Sequence, residues 1–308
     1  MIDSIVVPIL VVTLGAGTPL IFAALGELVT EKSGVLNLGV EGMMLVGAIV
    51  AFIATSASGS LWWGVPAGFL AGAGMALIFA FLTLTLQANQ VAAGLALSIF
   101  GAGLSAFVGK AYVGVALQSA PRLDSPLLSE IPVIGPLLFS LHPLVYLSWL
   151  LFAAVGWFLY KSRPGLVLRA VGESPASAHA IGYPVIPIRY FATLFGGAMS
   201  GVAGAYLSLV YAPLWLEGMT AGRGWIALGL VVFASWRPAR VMVGAYLFGG
   251  ITITQLFAQG AGIGFASQVM SALPYLATIV VLVLISRNLA MIRLNAPVSL
   301  GKQFHPDA

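Results

Sequence analysis

The stretch Glu31–Ala48, EKSGVLNLGVEGMMLVGA, decides the fold because it puts polar groups inside an apolar run. From Gly34 onward it has the Leu, Val, Met and Gly content of a membrane-spanning helix, yet Asn37 and Glu41 lie four residues apart, on one helix face. An ionisable group at membrane depth is costly and by default marks a functional position. Three glycines in the nine residues 34–42 favour a broken or re-entrant start to this segment.

The whole chain has the composition of a protein dissolved in lipid. Of its 308 residues 60% are hydrophobic and 7% are charged, against about 25% charged in soluble domains, and the mean hydropathy is +1.05. Apolar runs of about 20 residues, enough to cross the hydrocarbon layer, recur from end to end. The sequence predicts an all-α polytopic membrane protein with about 8–10 transmembrane helices, some of them broken or re-entrant, in a single domain over residues 1–308. The candidate spans are 5–25, 34–56, 61–86, 91–113, 143–160, 190–212, 225–236, 241–257 and 269–286.

The connection 161–189 carries most of the orientation signal. It holds Lys161, Arg163, Arg169 and Arg189 against one acid, Glu173. Because basic loops stay in the cytoplasm, we place this connection inside, together with the WRPAR turn at 236–240 and the C-terminus. Ten of the 13 Lys and Arg residues are then inside, and the N-terminus is outside.

Several functional classes find no support in the sequence. The net charge is only +4 and the basic residues are scattered, which argues against nucleic-acid binding. There is no cysteine, the three histidines lie far apart in loops, and no paired carboxylates or P-loop occur. We therefore expect no enzyme activity, no metal and no cofactor of the chain's own.

Polar residues at membrane depth are the candidates for a solute pathway. Asn37 and Glu41 begin the second span, Asn89 and Gln90 precede the fourth, and Ser98 lies two turns further on. Such groups usually face a bundle interior or a water-filled path. Two other roles stay open: the set could join helices through hydrogen bonds, and Glu41 could accept backbone N–H bonds from a broken neighbouring helix.

The sequence Arg169–Gly182, RAVGESPASAHAIG, predicts a short helix within the 161–189 connection. Ser174 is suited to cap it, Pro175 to its first position and Gly182 to its end. A capped helix with small apolar residues, standing off the membrane, is either a docking surface or an ordinary amphipathic connector.

Taken together, these stretches resemble the membrane subunits of ATP-binding-cassette (ABC) importers of the branched-chain amino acid and simple sugar permease superfamily. The branch that transports purine nucleosides and related simple sugars is the most similar, through its Ser-Gly-x-x-Asn-Leu-Gly-x-Glu-Gly motif. Two positions depart from the family pattern, since Ser98 stands where Asn is expected and Ala234 where Gly is more usual. The residues that match the motif are Ser33, Gly34, Asn37, Leu38, Gly39, Glu41 and Gly42.

The resemblance implies an importer of purine nucleosides or a related simple sugar in the bacterial cytoplasmic membrane. Its partners would be a second permease subunit, related or identical, a cytoplasmic ABC ATPase that binds the ATP, and an external solute-binding protein. The alternatives are a secondary transporter that acts alone with Glu41 as proton carrier, and a membrane-embedded enzyme or scaffold. The resemblance also implies a coupling helix that docks on the ATPase, with the candidate residues Arg169, Gly172, Glu173, Ser174, Ala178 and Gly182.

Overall fold

The computed structural model describes residues 2–118, 120–123, 129, 131–260, 267–286 and 295–305. Within these ranges the chain is helical almost throughout, and the extended pairing is limited to two isolated bridges, Val113 with Trp215 and Ala116 with Leu214. The helices are α1 (Ile2–Lys32), α2 (Val40–Ser58), α3 (Leu61–Ala80), α4 (Gln90–Gly109), α5 (Ile134–Leu138), α6 (Pro143–Lys161), α7 (Arg163–Glu173), α8 (Pro175–Ala180), α9 (Val185–Tyr206), α10 (Arg223–Phe233), α11 (Pro238–Gly260) and α12 (Ser267–Ser286).

Seven of the described helices are long and apolar enough to cross a membrane, namely α1, α2, α3, α4, α6, α9 and α11. The apolar helix α10 has 11 residues, which rise about 16 Å, roughly half of the ~30 Å hydrocarbon layer. The 20-residue helix α12 coincides with the last predicted span. Every predicted span corresponds to a helix, and the all-α polytopic fold with a broken element is confirmed.

Glycine faces hold the centre of the bundle, where α2, α3 and α9 meet. A Cβ on Gly72 would lie 2.7 Å from the Cα of Gly201, and one on Gly47 would lie 2.5 Å from the same atom. A Cβ on Gly197 would likewise lie 2.7 Å from the carbonyl oxygen of Gly72. The helices thus touch backbone to backbone, as small residues allow in a membrane.

The first helix ends later than the sequence predicted. The prediction stopped the first span at Leu25 and began the second at Gly34, but α1 continues to Lys32 and α2 begins only at Val40. A turn closed by the Gly34 N–H bond to the Glu31 carbonyl, with φ +91° at Gly34, terminates α1. Residues 33–39 between the two helices are irregular, and we call them the re-entrant segment.

Four connections lie together at one end of the bundle. The Lys32 Nζ donates to the Asn295 carbonyl (2.6 Å), the Ser299 N–H donates to the Gly172 carbonyl (3.1 Å), and the Trp236 indole donates to Glu31. The end of α1, the α7–α8 connection, the turn 234–237 and the C-terminal segment 295–305 therefore share one face. We call it the basic face, and the sequence had grouped its basic loops in this way.

Candidate functional site

Glu41 binds the start of the half-helix α10. Its Oε1 accepts hydrogen bonds from the Thr220 hydroxyl (2.6 Å) and the Gly222 N–H (2.9 Å), and its Oε2 accepts from the Gly224 N–H (2.6 Å). The first N–H groups of a helix have no partner within the helix, and the helix dipole favours a negative charge there. Because α10 ends beside Trp236 at the basic face, its start lies about 16 Å further along the helix axis, a length of about half the hydrocarbon layer.

These contacts distinguish between the roles that the sequence left open for Glu41. The half-buried carboxylate accepts backbone N–H bonds from a broken neighbouring helix. A Cβ on Gly224 would lie 2.6 Å from the Glu41 Cα, so the start of α10 is pressed directly against α2. Contact between Glu41 and a solute stays a prediction.

Gln90 and Ser98, both on α4, hold the re-entrant segment. The Gln90 Oε1 accepts from the Leu36 N–H (2.8 Å), and the Ser98 hydroxyl donates to the Leu38 carbonyl (2.8 Å). Both side chains are buried. Their hydrogen bonds satisfy irregular backbone that has no helical partner at this depth, a requirement in the apolar membrane interior.

Asn37 is fully buried within the same segment. Its Oδ1 accepts the Gly39 N–H (2.9 Å), and its backbone N–H donates to Oε1 of Glu27 on α1 (3.2 Å). The second oxygen of Glu27 has no hydrogen-bond partner in the described part of the chain. Glu27 and Glu31 were not predicted as site residues, because the first predicted span ended at Leu25 and left both in a loop. Their spacing of four residues and the length of the segment that follows them were visible in the sequence.

Asn89 stands apart from the other four predicted pathway residues. It is exposed and caps α4, with its Oδ1 accepting the Ala92 N–H (3.0 Å). The other four gather where the re-entrant segment, α4 and the start of α10 meet. Two apolar cavities of about 650 and 890 Å³ elsewhere in the bundle are lined by none of the five, so the pathway role of this set stays a prediction.

The predicted helix in the 161–189 connection is a pair of capped helices, α7 and α8. Ser162 caps α7 by accepting the Gly165 N–H (3.0 Å), and Ser174 caps α8 by accepting the Ser177 N–H (3.3 Å). Gly182, at φ +92°, follows the end of α8. The capping roles predicted for Ser174 and Gly182 are confirmed, whereas the sequence had not predicted that α7 would begin as early as Arg163.

The six candidate coupling residues do not form one exposed surface, because some of them are buried. Gly172 and Ala178 are buried, and a side chain on Gly172 would overlap the Lys32 carbonyl. The Arg169 guanidinium lies over the Tyr160 ring, 5.4 Å from its centre. The exposed surface available to a partner therefore consists of Glu173, Gly182 and neighbours such as Ala176, Ser177 and Ile181, with half-buried Ser174 between them.

Arg189 and the C-terminal segment were not predicted as parts of this site. Arg189 is 1% exposed and donates to the Ser33 carbonyl (3.1 Å), the Ser299 hydroxyl (3.0 Å) and the Lys302 carbonyl (3.2 Å). The Ser299 hydroxyl donates in turn to the Gly172 carbonyl (2.6 Å). Arg189 thus ties the re-entrant segment and the C-terminal segment together, a contact that no local sequence pattern indicates.

A bundle of apolar helices with broken elements, and with polar side chains gathered at the breaks, is the construction of a membrane transporter. The family model described as "Branched-chain amino acid transport system / permease component" matches residues 9–286. The chain belongs to this permease family, as the motif resemblance predicted, and is a transport component rather than an enzyme.

Three relatives extend this result along the chain. "Putative glucose ABC transporter permease protein TsgC13" of Haloferax volcanii is 41% identical, over 95% of this chain and 96% of that protein. "Nucleoside ABC transporter permease protein NupC" of Lactococcus lactis is 33% identical over 87% of this chain and 88% of its own length. "Guanosine ABC transporter permease protein NupQ" of Bacillus subtilis is 32% identical over 80% of each chain. No solved structure matches the chain at a significant level.

Proposed function

We propose that this chain is the membrane-spanning subunit of an ABC importer that carries purine nucleosides or a related simple sugar. The observation that supports this most is the similarity over at least four-fifths of the chain to three permeases, all named for an ABC transporter of a nucleoside or a sugar. The broken elements at the re-entrant segment and α10 suit a solute path near the middle of the membrane.

The proposed assembly has three kinds of partner. A second permease subunit, related or identical, would complete the transmembrane core. An ABC ATPase that binds the ATP would dock on the basic face, and an external solute-binding protein would dock on the opposite face. The excess of Lys and Arg on the basic face supports a cytoplasmic position for it and for the C-terminus, in a bacterial cytoplasmic membrane.

In this proposal α7 and α8 carry force from the ATPase. Their exposed surface around Glu173 and Ile181 would seat in the ATPase, and their buried side packs through Gly172 on the end of α1. That contact adjoins the re-entrant segment, whose far end leads to Glu41 and α10. A shift of α7 and α8 would therefore move the polar breaks at the proposed solute path.

The contacts of Glu41 disfavour the alternative of a proton-coupled transporter that acts alone. A carboxylate that takes up a proton loses acceptor capacity, and the three bonds to α10 all use that capacity. The three relatives give the alternative no support either, since each is named for an ABC transporter.

Reconstitution tests the proposal directly. The full chain is placed in liposomes with an ABC ATPase and a permease that co-purify with it, and uptake of labelled guanosine, adenosine, ribose and glucose is measured with the solute-binding protein. We expect uptake of one of these solutes that requires ATP and both partners. Uptake by this chain alone, driven by an ion gradient, would refute the proposal.

A further inference from the structure

An apolar groove lies beneath α7. It has a volume of about 650 Å³, within the range of about 300–1,000 Å³ usual for small-molecule sites. It runs between the spans α6 and α9, so its open side faces the bilayer. The side chains that form its walls include Leu151, Phe158, Val167, Ile188, Phe191 and Phe195.

The groove is shorter than the hydrocarbon depth of one lipid leaflet. Its lining extends from Leu151 to Phe158 on α6 and from Ile188 to Phe195 on α9, and seven helical steps rise about 10 Å. One leaflet of hydrocarbon is about 15 Å deep, half of the ~30 Å core. A second transmembrane helix is about 10–12 Å across with its side chains. It would collide with α7, which covers one end of the groove. A single acyl chain, by contrast, can follow the groove toward the middle of the membrane.

The end of the groove beside the start of α7, which we call its mouth, is positively charged. Arg163 and Tyr183 line that end, and Arg163 is exposed. Its guanidinium makes no hydrogen bond or ion pair with the rest of the described chain. Arg163 also begins α7, so the positive end of the helix dipole lies beside it. The one acid of the 161–189 connection, Glu173, lies at the other end of α7, ten residues or about 15 Å away.

We propose that this groove is a binding site for an anionic phospholipid. One acyl chain lies between α6 and α9, and the headgroup phosphate binds the Arg163 guanidinium at the membrane surface. The match is between an amphiphile with one negative end and a groove that is apolar along its length and cationic at its mouth. Basic sites between transmembrane helices recognise acidic headgroups in this way. The proposal does not depend on which solute the protein carries.

The site lies directly under the proposed coupling helices. Val167 and Leu168 of α7 form part of its roof, and α7 continues to Gly172 at the end of α1. A lipid in the groove therefore supports the side of α7 that faces the membrane while the other side remains free for a partner.

Native mass spectrometry of the full-length chain, delipidated in mild detergent, tests the proposal. Phosphatidylglycerol and phosphatidylcholine of equal chain length are added separately, and bound lipid is counted. We expect Arg163→Gln to weaken phosphatidylglycerol binding about fivefold, which corresponds to the ~1 kcal/mol that one basic side chain contributes near an acidic surface. Ala154→Phe, which fills the groove from an exposed lining position, should abolish binding of either lipid.

Two matched controls separate the site from general effects. Lys110→Gln removes a basic residue at the opposite end of the bundle, and Ala153→Phe adds the same ring at an exposed position of α6 outside the groove lining. Both should bind phosphatidylglycerol as the unmodified chain does.

Several results would overturn the lipid proposal. Equal binding of the two lipids, or no effect of Arg163→Gln, would show that the headgroup phosphate does not bind Arg163. Displacement of the lipid by inorganic phosphate at millimolar concentration would indicate a free-anion site. Disulfide cross-linking of two Ala154→Cys chains in the otherwise cysteine-free protein would indicate that a second copy fills the groove.

Discussion

Replacement of Glu41 by Gln tests the account of α10 most directly. The carboxylate accepts three hydrogen bonds through two oxygens, two at Oε1 and one at Oε2. An amide retains one acceptor oxygen. If that oxygen keeps Thr220 and Gly222, the amide NH₂ faces the Gly224 N–H, so one bond is lost and two donors oppose each other.

The magnitude follows from the lost bond and the lost charge. A hydrogen bond to a charged group contributes about 1.5–3 kcal/mol, and a negative charge at a helix N-terminus contributes about 0.3–1 kcal/mol. Because Glu41 is only half-buried, we expect the lower part of the combined range. Glu41→Gln should lower the free energy of unfolding by about 2–3 kcal/mol.

The assay is equilibrium unfolding of the purified chain in mixed micelles, followed by tryptophan fluorescence. The matched control is Glu217→Gln, which removes an exposed carboxylate from the loop before α10 and should change the unfolding free energy by less than about 0.5 kcal/mol. If the two variants were equally stable, the hydrogen bonds from α10 to Glu41 would not stabilise the fold, and the reasoning would be refuted.

Three further predictions concern the basic face and the opposite loops. Gly172→Ala should destabilise the protein by about 1–3 kcal/mol in the same unfolding assay, because the added methyl overlaps the Lys32 carbonyl. Stability should fall as the pH drops from about 6.5 toward 4, in thermal melts at a series of pH values. Burial lowers the pKa of His142 to about 4, below its ordinary value of ~6.5. In this pH window the unfolded state therefore takes up the proton more readily than the folded state. Protonation also removes the Nδ1 acceptor for the Leu144 N–H. Finally, Ser177→Cys on α8 should resist a membrane-impermeant maleimide added to sealed cells, since we place the basic face in the cytoplasm.

Each of these predictions has a control within the chain. Gly156→Ala on α6, where a Cβ has open space, should keep full stability. His142→Asn preserves a capping side chain without a titrating group, so its melts should lose the part of the pH dependence that comes from His142. Glu217→Cys, in the loop that the charge rule puts outside, should react with the maleimide. Labelling of Ser177→Cys from outside would reverse the orientation.

The sequence predicted elements and chemistry best where the signal was local. Apolar runs located every predicted span. The spacing of Ser174 and Gly182 predicted a capped helix. Asn37 and Glu41 could be identified because polar residues inside an apolar run differ from their immediate neighbours in the sequence.

The sequence could not show which groups satisfy these polar residues. Glu41 binds backbone 181 and 183 residues away, and Arg189 binds Ser33 at a separation of 156. Glu27 was hidden for another reason, because the span was ended by counting apolar residues while α1 continued to a glycine turn. The partners of buried polar groups are set by tertiary packing, which the order of residues alone does not reveal.

The C-terminal segment gives the fold a fixed order of completion. Ser299, within the segment 295–305, joins Gly172 and Arg189, which precede it in the chain by more than a hundred residues. Until Ser299 has been synthesised and has left the ribosome, the Gly172 carbonyl and the Arg189 guanidinium lack this partner. A partner that recognises the finished arrangement of α7 and α8 would therefore engage only chains that contain this segment.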